Sequence, residues 1–287
     1  MGIVAERDHK MSEMLSMNTS SFNYTFTIFT PTYNRASTLH RVYESLVCQT
    51  FQDFEWLIVD DGSTDNTKEV VEEWQNSASF PIRYYWQNNQ GKHIAFNFGV
   101  QEARGELFLT LDSDDACKPF ALDRLKYHWD RIPICERDRF SAVTARKHPF
   151  PVVRGVKFIP EGIVWNAIAV NYRTRFINEK LRVYLSNEGS SSDQLTKNVD
   201  PSMHAIGHAL WHRSILVHNL DWMPYSPREF VISATHYNRF SFHARIGTLK
   251  RFSGIHNFMA RNLIALTYLL GLFLYWKDRL RIKKIRK

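Results

Sequence analysis

The 287-residue chain predicts an α/β fold: a mostly parallel sheet flanked by helices, followed by a helical C-terminal extension. Three observations carry this. Short β-branched and aromatic runs alternate with stripes of helical period from Phe26 to about residue 131. Turn-rich acidic loops follow two of those runs. A composition of 44% hydrophobic and 23% charged residues with three cysteines is globular, and excludes a disordered, collagen-like or disulfide-stapled chain.

The first 22 residues mix charges with scattered methionines and build no apolar core, so they are expected to be a loosely ordered leader without a signal peptide. Phe26–Thr30 reads as a strand stopped by Pro31, which cannot donate to a central ladder. Leu39, Val42, Tyr43, Leu46 and Val47 then share one helix face, with Ser37 or Thr38 placed to cap it. Phe54–Val59 is a second strand. It runs into Asp60-Asp61-Gly62-Ser63-Thr64-Asp65, where Ser63 or Thr64 is expected to open a helix carrying Val70, Val71 and Trp74. Ile82–Trp86, Gly91–Ala103 and Glu106–Leu111 read as strand, helix and strand, and Pro119 begins a helix containing Leu122 and Leu125. Strands alternating with helices in this way make right-handed β-α-β units, hence a parallel sheet.

After residue 131 the alternation weakens. Phe140–Ala145 and Phe176–Leu185 read as strands, Gly162–Tyr172 as a helix, and 187–193 as a mobile loop. Beyond Pro201 the chain is expected to be helical. Cys48, Cys117 and Cys135 are odd in number and widely spaced, which fits a reducing compartment.

In an open parallel sheet, ligands bind outside the carboxyl ends of the strands. Three loops should meet there: Pro31-Thr32-Tyr33-Asn34, Asp60-Asp61-Gly62-Ser63 and Asp112-Ser113-Asp114-Asp115. Asp112 and Asp114 can offer oxygens to a divalent cation, Mg²⁺ or Mn²⁺, and to a ribose hydroxyl. No glycine-rich phosphate loop is present, so a nucleotide would be held through metal and side chains.

Five ordered blocks sharpen this reading: Phe-Thr-Pro-Thr-Tyr-Asn-Arg at 29–35, Ser-Leu-Val-Cys-Gln-Thr-Phe at 45–51, Phe-Glu-Trp-Leu-Ile-Val-Asp-Asp-Gly-Ser-Thr-Asp at 54–65, Gly-Lys-His-Ile-Ala-Phe-Asn at 91–97, and Gly-Glu-Leu-Phe-Leu-Thr-Leu-Asp-Ser-Asp-Asp at 105–115. Together they make residues 26–125 resemble the family-2 glycosyltransferases of the GT-A fold, inverting enzymes that use nucleotide-sugars. The resemblance implies that Pro31, Tyr33 and Asp61 line the nucleoside pocket with Asp60 in support. Asp112-Ser113-Asp114 would be the D-x-D, with Asp114 the principal metal ligand and Asp112 nearer the ribose, and Lys92 would lie close to the donor diphosphate. In the second half, Phe158-Ile-Pro-Glu-Gly-Ile-Val-Trp165 resembles a subgroup in which the glutamate stands without its usual aspartate neighbour, whose place is taken by Gly162. Glu161 is the candidate base and Asp193 the alternative; Glu161 in a purely electrostatic role at a helix N-terminus is the competing reading.

His204, His208 and His212 recur every four residues and share a helix face. Without H-E-x-x-H or a carboxylate partner, a polar or half-buried face is expected rather than zinc. Trp165, Trp211 and Trp222 are expected in the core. From Asn262 to Trp276 no residue is charged; as a helix this run is about 22 Å long, short of the roughly 30 Å of a bilayer core. An interfacial helix is expected, with a core helix as the competing reading.

Charge is divided along the chain. Of 37 Lys and Arg and 29 Asp and Glu, 12 and one fall in residues 239–287, which therefore carry +11 and leave −3 for the rest. The basic character thus suits an anionic leaflet rather than nucleic acid. The chain divides into the leader (1–22), a nucleotide-sugar-binding α/β half (23–131), an acceptor-side half of the same catalytic domain (132–238) and a basic, apolar helical segment (239–287). The expected activity is metal-assisted transfer from a UDP-sugar to a hydroxyl of a lipid-linked or cell-surface polysaccharide. A cytoplasmic location, peripheral on the inner face of the cell membrane through residues 255–287, goes with it. Transfer to a polyprenyl phosphate and a catalytically inactive binding protein are the competing functions.

Overall fold

A computed structural model describes residues 22–132, 142–172, 176–184 and 200–285, with side chains as far as Ile282. Four parallel strands form the central sheet in the order β3-β2-β1-β4: β1 Tyr24–Thr32, β2 Phe54–Asp60, β3 Ile82–Trp86 and β4 Gly105–Thr110. Helices α1 (Ala36–Val47), α2 (Thr67–Ser77) and α3 (Lys92–Glu102) make the crossovers, and α4 spans Ala121–Asp130. The GT-A architecture expected from the sequence is the one observed.

Every residue of β2 is buried, because both faces of a parallel sheet are covered; Trp56–Val59 read as a continuous apolar run. Phe26, Ile28, Phe54, Trp56 and Ile58 pack with Leu39, Val42 and Leu46 on one face. Phe29, Leu57 and Val59 pack with Ala95, Phe96 and Val100 on the other. Each such side chain contributes about 1.5–3 kcal/mol of transfer free energy. Glu55, fully buried among them, is satisfied by accepting from the Thr27 hydroxyl at 2.7 Å and the Arg104 N–H at 2.8 Å, with Arg83 at 3.2 Å.

Several boundaries differ from the sequence reading. Strand β1 runs through Pro31 to Thr32. The Phe29 carbonyl accepts from Leu111, so backbone alternation turns the Pro31 nitrogen to the same side, past the end of the β4 pairing at Phe29. No ladder bond is lost there. Helix α1 has no side-chain cap, and α2 starts at Thr67 rather than at Ser63 or Thr64. Those two residues are engaged elsewhere: Ser63 Oγ accepts the Asn34 N–H at 2.8 Å, and Asn34 Oδ1 accepts the Thr64 N–H at 2.8 Å.

In place of a strand over Phe140–Ala145, helix α5 occupies Ala142–Lys147; residues 140 and 141 lie outside the described set. It covers the end of α3, where Arg146 donates to the Val100 and Ala103 carbonyls at 3.0 and 2.6 Å. That satisfies C-terminal carbonyls which α3 cannot bond internally. Of the strand expected over Phe176–Leu185, the described residues hold Arg182–Tyr184 (β6), paired antiparallel with β5, Asp115–Cys117; Leu185 lies outside the described set. Helix α6 covers Gly162–Ala169.

A second core lies in the C-terminal helices. Ala205, Ala209, Leu216, Phe230, Ala234, Tyr237 and Ile264 join α7 (Ala205–His218), α8 (Pro227–His243) and α10 (Phe258–Leu266), with the short α9 at Thr248–Phe252. Residue 239, expected to begin a separate segment, falls inside α8. Helix α11, Tyr268–Ile285, packs along α8. Asp278, the single acid of the basic tail, anchors it: Arg239 grips both its oxygens at 2.6 Å and His243 lies at 3.0 Å. No single helix among the described residues is long and apolar enough to cross a membrane; α10 and α11 qualify only as a pair bent by 48°. Asn238, fully buried on α8, holds that bend by donating to the Ile264 carbonyl at 2.8 Å.

Candidate functional site

The carboxyl ends of β2, β1 and β4 lie side by side, and the three loops leaving them form a cleft of about 320 Å³. Pro31, Thr32 and Tyr33 come from the first loop, Asp61 from the second, and Asp112, Ser113 and Asp114 from the third; Arg35 and Lys92 complete the wall. Of the residues expected in the nucleoside and metal sites, only Asp60 is not in the lining.

Asp60 lies beneath the cleft and is fully buried. Its carboxylate accepts the Ser63 N–H at 2.7 Å and the Tyr84 hydroxyl at 2.6 Å, which fixes the turn after β2; burial, and then this bond, push the Tyr84 phenol up. Asp61 is clamped from the opposite side: Oδ1 accepts from Gln87 Nε2 and the Gln90 N–H at 2.7 and 2.9 Å, and Oδ2 from the Gly91 N–H at 2.7 Å. Tyr33 is half-exposed at the rim, available to lie against a planar base.

Gly91 makes this corner possible. Its φ of +104° belongs to glycine, and a Cβ there would lie 2.0 Å from the Lys157 carbonyl oxygen. The close approach brings the 157–161 segment over the start of α3. Lys92 follows, its ammonium 2.7 Å from Asp112 Oδ1 and 2.8 Å from Glu161 Oε1. Burial works against the Lys92 charge, but the two carboxylates outweigh it and hold the group above its ordinary range. Lys92 thus joins Asp112 to the candidate base Glu161 across 49 residues of sequence.

Asp112 Oδ2 also meets Arg182 of β6 at 3.3 Å, and Arg182 pairs with the buried Asp115. Burial raises Asp115 despite that partner. Asp114 makes no hydrogen bond or ion pair among the described residues, so its carboxylate faces the cleft uncommitted. That suits a divalent cation: Mg²⁺ and Mn²⁺ are commonly held by one or two carboxylates with the remaining ligands from phosphate and water. Asp112 and Asp114 would supply the carboxylates. Among the described residues no group of three or more His, Cys, Asp or Glu is placed to hold a metal by itself.

Glu161 precedes α6 at the N-cap position and is half-exposed. Gly162 sits against Trp211 of α7: a Cβ would lie 2.6 Å from Trp211 Nε1. The indole therefore occupies the room an aspartate would need beside Glu161. Asp193, the alternative base, lies outside the described residues.

Two residues of this region were not foreseen. Arg35 stands in the first sequence block, where its adjacency to Pro31, Thr32 and Tyr33 was the available signal. Arg182 had none, since only the β5–β6 pairing carries it to the acidic loop. The aromatic expectations are partly corrected: Trp165 is 51% and Trp222 67% exposed. His208 and His212 stack on Phe240 at 4.8 and 5.9 Å and His212 on His236 at 5.1 Å, while burial drives the His212 ring down to about 3. They are neutral packing groups between α7 and α8.

Comparison with known proteins gives the family and the fold. The model of glycosyl transferase family 2 matches residues 27–186. An uncharacterized glycosyltransferase of Nostoc sp. is 45% identical over 93 residues, 32% of this chain and 29% of that protein. The chain thus aligns with less than a third of that curated relative's length. Staphylococcus aureus TarS 1-349 in complex with UDP-GlcNAc superposes with a TM-score of 0.56 at 18% identity, covering 88% of this chain and 81% of that one. The mannosyltransferase PcManGT of Pyrobaculum calidifontis, in complex with GDP-Man and Mn²⁺, superposes at 0.52 and 15% identity over 88% and 87%. At these identities the two structures speak to the fold.

Proposed function

The chain belongs to glycosyl transferase family 2, and we propose that it is a glycosyltransferase that moves a sugar from a nucleotide-sugar, UDP-linked by default, to a hydroxyl of a lipid-linked or cell-surface polysaccharide with inversion. The observation that carries the reading is the Lys92 bridge, which places Glu161 one ammonium away from the D-x-D aspartate. The likeness to folds that hold UDP-GlcNAc in one case and GDP-Man with Mn²⁺ in the other supports the donor class and the cation.

In this reading Pro31, Tyr33 and Asp61 hold the nucleoside, and Asp112 and Ser113 the ribose side. Asp114 with Asp112 would bind Mg²⁺ or Mn²⁺, whose chemistry is to neutralise charge on the departing diphosphate. Glu161 takes the proton from the acceptor hydroxyl as its oxygen bonds to the anomeric carbon. The bond from that carbon to the diphosphate oxygen breaks, and the nucleoside diphosphate leaves with the electron pair. Lys92 and Arg35 provide fixed positive charge beside the leaving group. The exposed apolar face of α11 favours an acceptor presented at a membrane, and with it a location on the inner face of the cell membrane.

The test is turnover of UDP-, GDP- and dTDP-sugars with Mn²⁺ or Mg²⁺, in the wild type and in Glu161→Gln. Metal-dependent turnover is expected, and the variant should lose about 10²–10⁴-fold in transfer while donor binding persists. Transfer to a lipid phosphate, which needs no base to activate its acceptor, would largely survive Glu161→Gln. If no nucleotide-sugar is bound or turned over with either cation, the donor assignment fails.

A further inference from the structure

The tail helix α11 has two unlike sides. Gly271, Tyr275 and Asp278 face α8, where a Cβ on Gly271 would lie 2.4 Å from Asn238 Cβ, so that side is closely packed. On the opposite side Leu269, Phe273, Trp276 and Leu280 follow at intervals of three and four residues and are 74%, 63%, 56% and 62% exposed. Burying one side of a helix explains one apolar stripe; the second stripe is left facing outward. Leu266, 82% exposed at the end of α10, continues it around the bend.

The charge around this stripe is of one sign. Lys277, Arg279 and Arg281 border it, and Lys283, Lys284, Arg286 and Lys287 follow in sequence. The one acid on the helix, Asp278, is already neutralised by Arg239 and His243 on the inner side. Beside the stripe, between α8 and α11, lies a cleft of about 410 Å³ with an aromatic wall of Phe242 and Tyr275 and two arginines, Arg245 and Arg279. Arg279 donates to the Tyr275 hydroxyl at 3.1 Å, and neither arginine has a carboxylate partner among the described residues. Arg245 is held at φ +55° just past the end of α8. Asp200, also on this cleft, is engaged with the Ser202 N–H and hydroxyl at 2.8 and 2.7 Å.

An apolar stripe, a one-signed border and a cleft holding two guanidinium groups that pair with no carboxylate among the described residues fit one kind of surface. We propose that this face docks on an anionic phospholipid bilayer, with Leu269, Phe273, Trp276 and Leu280 in the acyl boundary and Arg245 and Arg279 gripping lipid phosphates. This rests on the membrane part of the proposed function and names the lipid class and the residues. Packing relates the dock to the candidate base: α11 lies on α8, α8 on α7, and α7 on α6, the helix that Glu161 precedes.

The experiment is co-sedimentation of the full chain with vesicles of phosphatidylcholine alone and of phosphatidylcholine with phosphatidylglycerol in equal parts. Binding to the anionic vesicles is expected to exceed binding to the neutral ones and to weaken with salt. Leu269→Ser with Phe273→Ser should lower anionic-vesicle binding about a hundredfold, from the burial free energy of two large side chains. Arg245→Gln with Arg279→Gln should lower it about thirtyfold while leaving binding to neutral vesicles unchanged. All four side chains are outward or cleft-lining, and an unchanged far-ultraviolet circular dichroism spectrum checks that each variant is folded. Equal binding to both vesicles, no binding to either, or a dimer in solution that the Leu269→Ser with Phe273→Ser variant dissociates would overturn the proposal. The last result would give the face to a second copy of the chain. Donor turnover is measured without vesicles, so a failed dock and a failed transferase reading are separable.

Discussion

Gly162→Asp restores beside Glu161 the acidic neighbour that the family resemblance leads one to expect, and the structure states what that change must cost. A Cβ at this position would lie 2.6 Å from Trp211 Nε1 and 3.1 Å from Cδ1, inside the 3.4 Å of ordinary contact, and a carboxylate must extend beyond it. Trp211 is a rigid bicyclic group on α7, whose nearby Gly207 is itself pressed against the Phe158 carbonyl, a Cβ there lying 2.3 Å from the oxygen. Neither partner can move away freely. Overpacking of this kind costs about 1–3 kcal/mol. Against it stand about 0.3–1 kcal/mol from an acid in the first turn of a helix and roughly 0.5 kcal/mol from removing a helical glycine. A net loss of about 1 kcal/mol is expected. Urea unfolding followed by circular dichroism should show a lower midpoint with an unchanged slope, and tryptophan emission should shift as the indole is displaced. In a Trp211→Ala background the space exists, so the same substitution should become neutral or stabilising, a coupling of about 1–2 kcal/mol. If Gly162→Asp leaves both the midpoint and the emission unchanged in the wild-type background, the steric account of the missing aspartate is wrong.

Gly91→Ala should strike the donor site and the fold together. Its φ of +104° and the 2.0 Å approach to the Lys157 carbonyl imply a loss of about 3 kcal/mol or more, and the displaced Gly91 N–H frees Asp61, so KM for the nucleotide-sugar should rise by more than kcat falls; unchanged stability and KM would refute the role given to this corner. The histidine stack gives a pH dependence with a definite sign. His212 is pushed from 6.5 to about 3 by burial, helped by the neighbouring His236, His208 and Arg239, so the unfolded chain takes up its proton first. Stability is therefore full above about pH 6.5 and is lost as pH falls towards 3, by about 2 kcal/mol at pH 5 from this group alone. Urea midpoints at pH 7 and 5 should differ accordingly, and His212→Phe should flatten the difference; a slope that survives the substitution would place the titrating group elsewhere.

The helical period of α1 to α4, the short strands between them and the acidic loops at 60–63 and 112–115 are local patterns, and each was legible in sequence because secondary structure and strand-end loops are set by neighbouring residues. The parallel order followed from the alternation. Where the pattern was short, it misled: a few residues with β propensity near 142 became a helix because α3 offered unsatisfied carbonyls to Arg146. The basic tail and its apolar run were equally plain. What no local pattern could reveal is which residues meet. Lys92 between Asp112 and Glu161, Arg182 beside Asp112 and Asp115, and Trp211 against Gly162 join positions 20 to 70 residues apart in sequence, and their meeting depends on how sheet and helices are packed. The same holds for α11. Its first half, to Trp276, is apolar on every side, and only packing on α8 through Asp278 and Gly271 chose which stripe is buried and which is left to face outward.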